Sequence, residues 1–141
     1  MGTTVNLATP VGKANIGITL LTLLSIPIFC VYIMLEEFAP ISLSIENEVL
    51  IAEHWKEDYS IPTTAITDLA LVAEIPKSTK VSGSAMDHLL KGTFRNSEEG
   101  KMQLFLNPQN EIFLRFRSGG TTYYMSGFDD TETEAIYEAL R

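Results

Sequence analysis

Apolar positions along the chain follow two patterns, and the change between them falls just before residue 40. From Ala14 to Leu35 the chain is apolar on all sides and carries no charge, bracketed by Lys13 and Glu36. A helix rises about 1.5 Å per residue, so a run of this length covers the roughly 30 Å hydrocarbon core of a bilayer. Its Leu, Ile, Val and Phe side chains favour insertion by roughly 4–7 kcal/mol. Thr19, Thr22 and Ser25 can turn their hydroxyls onto helix carbonyls, which keeps their cost small. Pro27 would break a water-exposed helix but is tolerated in a membrane. The run exceeds the apolar core of a cleaved signal peptide, and Glu36-Glu37-Phe38-Ala39-Pro40 offers no small-x-small cleavage site. The expectation is a transmembrane helix over residues 14–37, after a disordered cytoplasmic head at residues 1–13.

From residue 38 to 141 the period becomes two. Ile41, Leu43 and Ile45 alternate with Ser42, Ser44 and Glu46, the signature of a half-buried strand. Asn47-Glu48 turns the chain, Val49–Trp55 forms a second strand, and Glu57-Asp58 is the next expected turn. Residues 59–75 read as a third extended stretch. Pro76 to Asp87 has the composition of a loop. Four strands follow at Leu89–Arg95, Lys101–Leu106, Glu111–Arg117 and Thr121–Met125, with Asn107–Asn110 as a hairpin loop and Ser118-Gly119-Gly120 as a turn. Gly92 marks a bulge. The chain ends in a helix for which Thr131 and Glu134 form a capping box, and Ile136, Ala139 and Leu140 its apolar stripe.

Charge narrows the function classes. The net charge is −8, from 10 basic and 18 acidic residues, and all the charges but Lys13 follow the apolar run. An acidic domain disfavours a nucleic-acid partner, whose phosphates require Lys and Arg. Lys13 on the amino-terminal side places the head in the cytoplasm and the domain outside, by the positive-inside rule. The expected location is therefore the cell membrane, single-pass, with an extracytoplasmic domain. Cys30 is the single cysteine, so no intramolecular disulfide can form.

Candidate chemistry is sparse. His54 and His88 are the only histidines and belong to no cluster with metal-ligand spacing, so no metal or cofactor site is expected. Ser82-Gly83-Ser84 lacks the pattern of a nucleophile elbow, and Gly119-Gly120 lacks a P-loop lysine, so no catalytic residue is assigned. Arg115 and Arg117 share a strand face with Phe113 and form a candidate partner-contact stripe. Trp55, Tyr59, Tyr123 and Tyr124 are aromatics of the kind that anchor interfaces. Arg115, Arg117, Trp55 and Tyr124 are thus the candidate partner-contact residues.

Ile61-Pro62 before a strand, Gly92-Thr93-Phe94, and the run from Gly100 to Leu140 (GKMQLFLNPQNEIFLRFRSGGTTYYMSGFDDTETEAIYEAL) resemble the bacterial pleckstrin-homology-like (PH-like) domain families. The resemblance is to small proteins that pair a membrane helix with such a domain, and it covers residues 41–140. It implies a mainly β fold, a seven-stranded bent barrel with one C-terminal helix, and no catalytic residues. The expected function is a non-enzymatic, membrane-anchored binding or scaffolding module for a protein or peptide partner. The alternatives are a small anchored enzyme with an unrecognised cleft, or a structural subunit of a membrane complex. Phosphoinositide headgroups are disfavoured, because the first hairpin loop is Glu46-Asn47-Glu48 and would repel them.

Overall fold

The computed structural model describes residues 8–141, which fall into two units, one ending at Glu36 and one running from Glu37 to Arg141. Residues 1–7 of the expected head lie outside the described residues. The first unit is dominated by helix α1 (Pro10–Phe38). It begins earlier than the charge boundary suggested, so Pro10–Lys13, expected in the head, open the helix instead. Thr9 accounts for this: its Oγ1 accepts the Gly12 N–H at 3.1 Å, and Pro10 occupies the first helical position, where a missing N–H costs nothing. The hydroxyls of Thr19 and Thr22 donate to the carbonyls of Asn15 and Ile18 at 2.8 and 2.9 Å, as expected.

The second unit is mainly β, with nine strands in two sheets. The smaller sheet is the meander β1 (Ile41–Glu46), β2 (Val49–His54) and β3 (Glu57–Pro62). Ile41, Leu43, Leu50, Ala52 and Ile61 supply its buried face. Asn47 and Glu48 turn β1 into β2 with φ of 50° and 63°, the doubly left-handed turn that matches strand twist. The second turn is Trp55-Lys56, not Glu57-Asp58. Trp55 takes φ of 49°, a conformation that a bulky side chain gives no reason to anticipate.

The larger sheet has the order β4-β8-β9-β7-β6-β5, formed by β4 (Thr67–Val72), β5 (Thr79–Ala85), β6 (Leu90–Asn96), β7 (Gly100–Leu106), β8 (Phe113–Ser118) and β9 (Thr121–Met125). Three expectations are corrected here. The stretch at 59–75 is two strands in different sheets, divided by a short 3-10 turn at Thr63–Ala65. The supposed loop at 76–87 contains β5. Asn107–Asn110 does not close a hairpin: β9 enters between β7 and β8, parallel to β7 and antiparallel to β8. Nine strands in two sheets, with β1, β3, β4 and β5 at their edges, stand in place of the expected seven-stranded bent barrel, and no closed barrel is formed.

The insertion of β9 has a local cause. The segments on either side of the crossing hold each other. Ser126 N–H donates to the Phe105 carbonyl, Asn107 N–H to Ser126 Oγ, and the Asn110 side-chain amide to the Gly127 carbonyl, at 3.0–3.2 Å. Both faces of the larger sheet carry buried side chains at its central strands. Phe105, Leu114, Phe116 and Met125 join the core shared with the smaller sheet, while Phe94, Met102, Leu104, Leu106, Phe113 and Tyr124 form a second cluster on the opposite face.

Helix α2 (Asp130–Leu140) closes the shared core with Ile136, and packs against β1, β4 and β8. Its cap lies two residues before the expected pair. Asp129 Oδ1 accepts from Glu132 N–H at 2.8 Å, while Glu132 folds back to accept from Phe128 N–H at 2.7 Å and from Leu43 N–H on β1 at 2.8 Å. Of the expected stripe, Ile136 is buried, Leu140 half-buried and Ala139 exposed.

Gly83 and Gly92 face each other across β5 and β6 with φ of +112° and +120°. A Cβ on Gly92 would lie 2.8 Å from the Gly83 Cα and closer still to the Ser82 carbonyl oxygen, both rigid backbone atoms. Gly92→Ala is therefore expected to destabilise the domain by at least about 1–3 kcal/mol, the usual cost of a forced backbone conformation. Urea unfolding in detergent micelles checks this; an unchanged midpoint would refute the close approach.

Candidate functional site

Strand pairing brings two of the four candidate residues together. Arg115 on β8 and Tyr124 on β9 are direct cross-strand partners. Between them sits Glu99, from the turn that joins β6 to β7. Its Oε1 accepts from Arg115 Nε and Nη2 at 3.2 and 3.1 Å, and its Oε2 accepts the Tyr124 hydroxyl proton at 2.9 Å. Arg115 Nη1 also reaches Asp68 Oδ2 at 3.1 Å. The Arg115 and Glu99 side chains are each 21 % exposed, so the ion pair is partly shielded from solvent.

The electrostatics follow from that arrangement. Burial works against the Arg115 charge, but hydrogen bonds with Tyr124, Glu99 and Asp68 outweigh it and push the guanidinium further up. Burial, together with the hydrogen bond to Glu99, pushes the Tyr124 phenol above its ordinary value. Tyr59 is also pushed up, first by burial and then by the nearby Glu57 charge. These groups bind one another: the carboxylate of Glu99 engages both the arginine fork and the phenol. The cluster clamps the β6–β7 turn onto β8, β9 and, through Asp68, β4.

The other two candidates lie elsewhere. Arg117 is exposed two residues along β8, where its carbonyl accepts the Thr67 hydroxyl at 3.1 Å. Trp55 sits on the β2–β3 turn of the smaller sheet, 42 % exposed, with Lys56 Nζ 4.9 Å from its ring centroid. His54 is buried edge-on to Phe105, and His88 is half-buried in the connection before β6. Among the described residues, no three His, Cys, Asp or Glu side chains gather where they could hold a metal ion.

Sequence reading missed Glu99 and Asp68. Glu99 belongs to Ser97-Glu98-Glu99, a polar turn with nothing to separate one acid from the other. Its neighbour Asn96 gives the only hint, because its Oδ1 accepts from the N–H groups of Glu98 and Glu99 and fixes the turn. No family model, curated protein or solved structure matches the chain.

Two measurements check the cluster. Glu99→Gln removes the charge that Arg115 and Tyr124 share and is expected to cost about 1–3 kcal/mol in urea unfolding, the scale for a partly buried group losing its partner. No change would mean that the turn is not clamped. The raised phenols set an alkaline limit. Both states hold these protons below about pH 10. Above it the unfolded chain loses them first, so it binds fewer protons and stability falls as pH rises through the folded values. Tyrosinate absorbance at 295 nm should then show a late-titrating fraction that shrinks in Tyr124→Phe.

Proposed function

We propose that this chain is a single-pass membrane protein whose β domain is a non-enzymatic binding module for a protein or peptide partner. The observation that carries the reading is α1: 29 residues, with an 18-residue window of mean hydropathy 2.4, none of which is buried inside the protein. An apolar window that nothing among the described residues buries needs an apolar surrounding, and a bilayer supplies one. The same composition is compatible with a signal sequence. The length of the helix and the acidic segment after it favour a retained anchor. Lys13 favours a cytoplasmic amino terminus and an extracytoplasmic domain.

The binding role rests on the domain. Its edges at β3, β4 and β5 are places where an extended partner segment adds as a further strand, whereas the β1 edge is engaged by Glu132. The Glu99 cluster is closed by its own hydrogen bonds, which supports a structural rather than a catalytic use. A PH-like kinship is supported by the meander of β1–β3, the Gly119-Gly120 turn and the closing helix. The parallel pairing of β7 with β9 departs from it.

The test uses the full chain in its native membrane. The protein should stay at full length in the membrane fraction after alkaline carbonate extraction. A photocrosslinking amino acid placed in turn at exposed sites on each sheet should give a discrete adduct with one partner at one cluster of sites. Release of a shortened, soluble chain would refute the anchor. Adducts absent at every site would refute the binding role.

A further inference from the structure

Four of the nine Lys and Arg residues of this acidic domain lie on β5, β6 and β7 of the larger sheet. β5 and β6 carry Lys80, Lys91 and Arg95 and no acidic residue. Arg95 is the direct cross-strand partner of Lys101 on β7, so the two side chains share a face. Like charges placed directly opposite one another destabilise a strand pair. Other cations of the sheet are neutralised, Lys91 on the same strand as Arg95 by Glu57 at 3.2 Å and Arg115 by both Glu99 and Asp68. Among the described residues, no carboxylate comes within ion-pair distance of Arg95 or Lys101. Both are exposed, and with Val81, Ser82 and Thr93 they line an open depression of about 430 Å³. That volume falls within the usual range of ligand sites. Val81, 64 % exposed at the irregularity between Lys80 and Ser82, adds an apolar wall beside the two charges.

We propose that this depression is the partner site of the binding module, and that it takes an acidic, extended peptide segment with one carboxylate seated between Arg95 and Lys101. The proposal rests on the binding-module reading and names the chemistry of its partner. A carboxylate there would relieve the Arg95–Lys101 repulsion, accept charge-assisted hydrogen bonds from both, and lie within the same depression as the hydroxyls of Ser82 and Thr93. An apolar neighbour on the peptide would cover Val81. The domain's overall acidity selects a short segment over a lipid surface. A bilayer presents charge over a wide area and meets the repulsion of the whole domain. A short segment feels chiefly the charges within about 8–10 Å.

The experiment uses the full chain in phosphatidylcholine nanodiscs and a fluorescein-labelled peptide of alternating Glu and Val, read by fluorescence anisotropy. Saturable binding is expected, weakened by added salt and at least about tenfold weaker in the Arg95→Glu, Lys101→Glu double variant, since like charge across an interface costs affinity. Both positions are exposed, so the variant should keep the Trp55 fluorescence and urea midpoint of the parent. A Lys and Val peptide should not bind. The site is refuted by absent binding, by equal binding of the lysine peptide, or by no effect of the double variant. Vesicles containing phosphoinositide form a separate arm. Saturable binding there, lost in the same variant, would replace the peptide with a lipid phosphate and overturn the proposal. If the peptide fails while membrane crosslinking finds a partner on another face, this site falls and the binding-module reading stands.

Discussion

One carboxylate ties the two sheets to the closing helix. The two sheets share no ladder of backbone hydrogen bonds; a common apolar core joins them, and α2 with the side chain of Glu132 bridges them at one end. One oxygen accepts from Leu43 on β1, in the smaller sheet, and the other from Phe128, in the segment leaving β9 of the larger sheet. The fold-back needs Gly127, because a Cβ there would lie 2.9 Å from the Glu132 side chain. Around this point the helix N-terminus is dense with satisfied donors. Asp130 Oδ1 accepts from Glu111 and Ile112, and buried Thr133 accepts from Gly127 while donating to the Asp129 carbonyl. Acidic side chains here also suit the helix dipole. Ile136 then lies over the seam between the sheets as the apolar counterpart of the same junction.

The larger, mixed sheet has little free surface at its centre. Its second face is covered by Phe94, Met102, Leu104, Phe113 and Tyr124, with Val72 and Ile75 from the segment around the end of β4. Arg115 and Tyr124 lie on that side, which is why the residues singled out for partner contact are tied down by Glu99. The outer strand β5 lacks such cover, and exposed Lys80, Arg95 and Lys101 lie on it and the two strands beside it.

How far the fold could be read from sequence follows from which strands alternate. β1 shows one buried and one open face, so Ile41, Leu43 and Ile45 announced it, and Thr121–Met125 was located to the residue. β7 has four of its last five residues buried, Met102, Leu104, Phe105 and Leu106. A strand buried on both faces no longer says which neighbour lies where, so its pairing with β9 instead of β8 left no trace in the pattern. β5 failed in the opposite way: nearly every residue is exposed, and an edge strand without an apolar face reads as a loop. The cap at Asp129–Glu132 was displaced by a competing Thr-x-x-Glu in the same polar run. The Glu99 cluster depends on contacts between distant segments, which local spacing does not record.

The position of β9 bears on the order in which the chain can be assembled during translation. The strand at the centre of the larger sheet is the last of the nine to leave the ribosome, and α2 follows it. Until then β7 and β8 stand with a gap between them, each showing an unpaired backbone and the apolar side chains of Leu104, Phe105, Leu114 and Phe116. Long-range pairing of this kind is slow, and exposed edges in the interval invite aggregation. On the anchor reading proposed above, α1 in the bilayer would hold the nascent domain away from other copies while it waits for its own central strand.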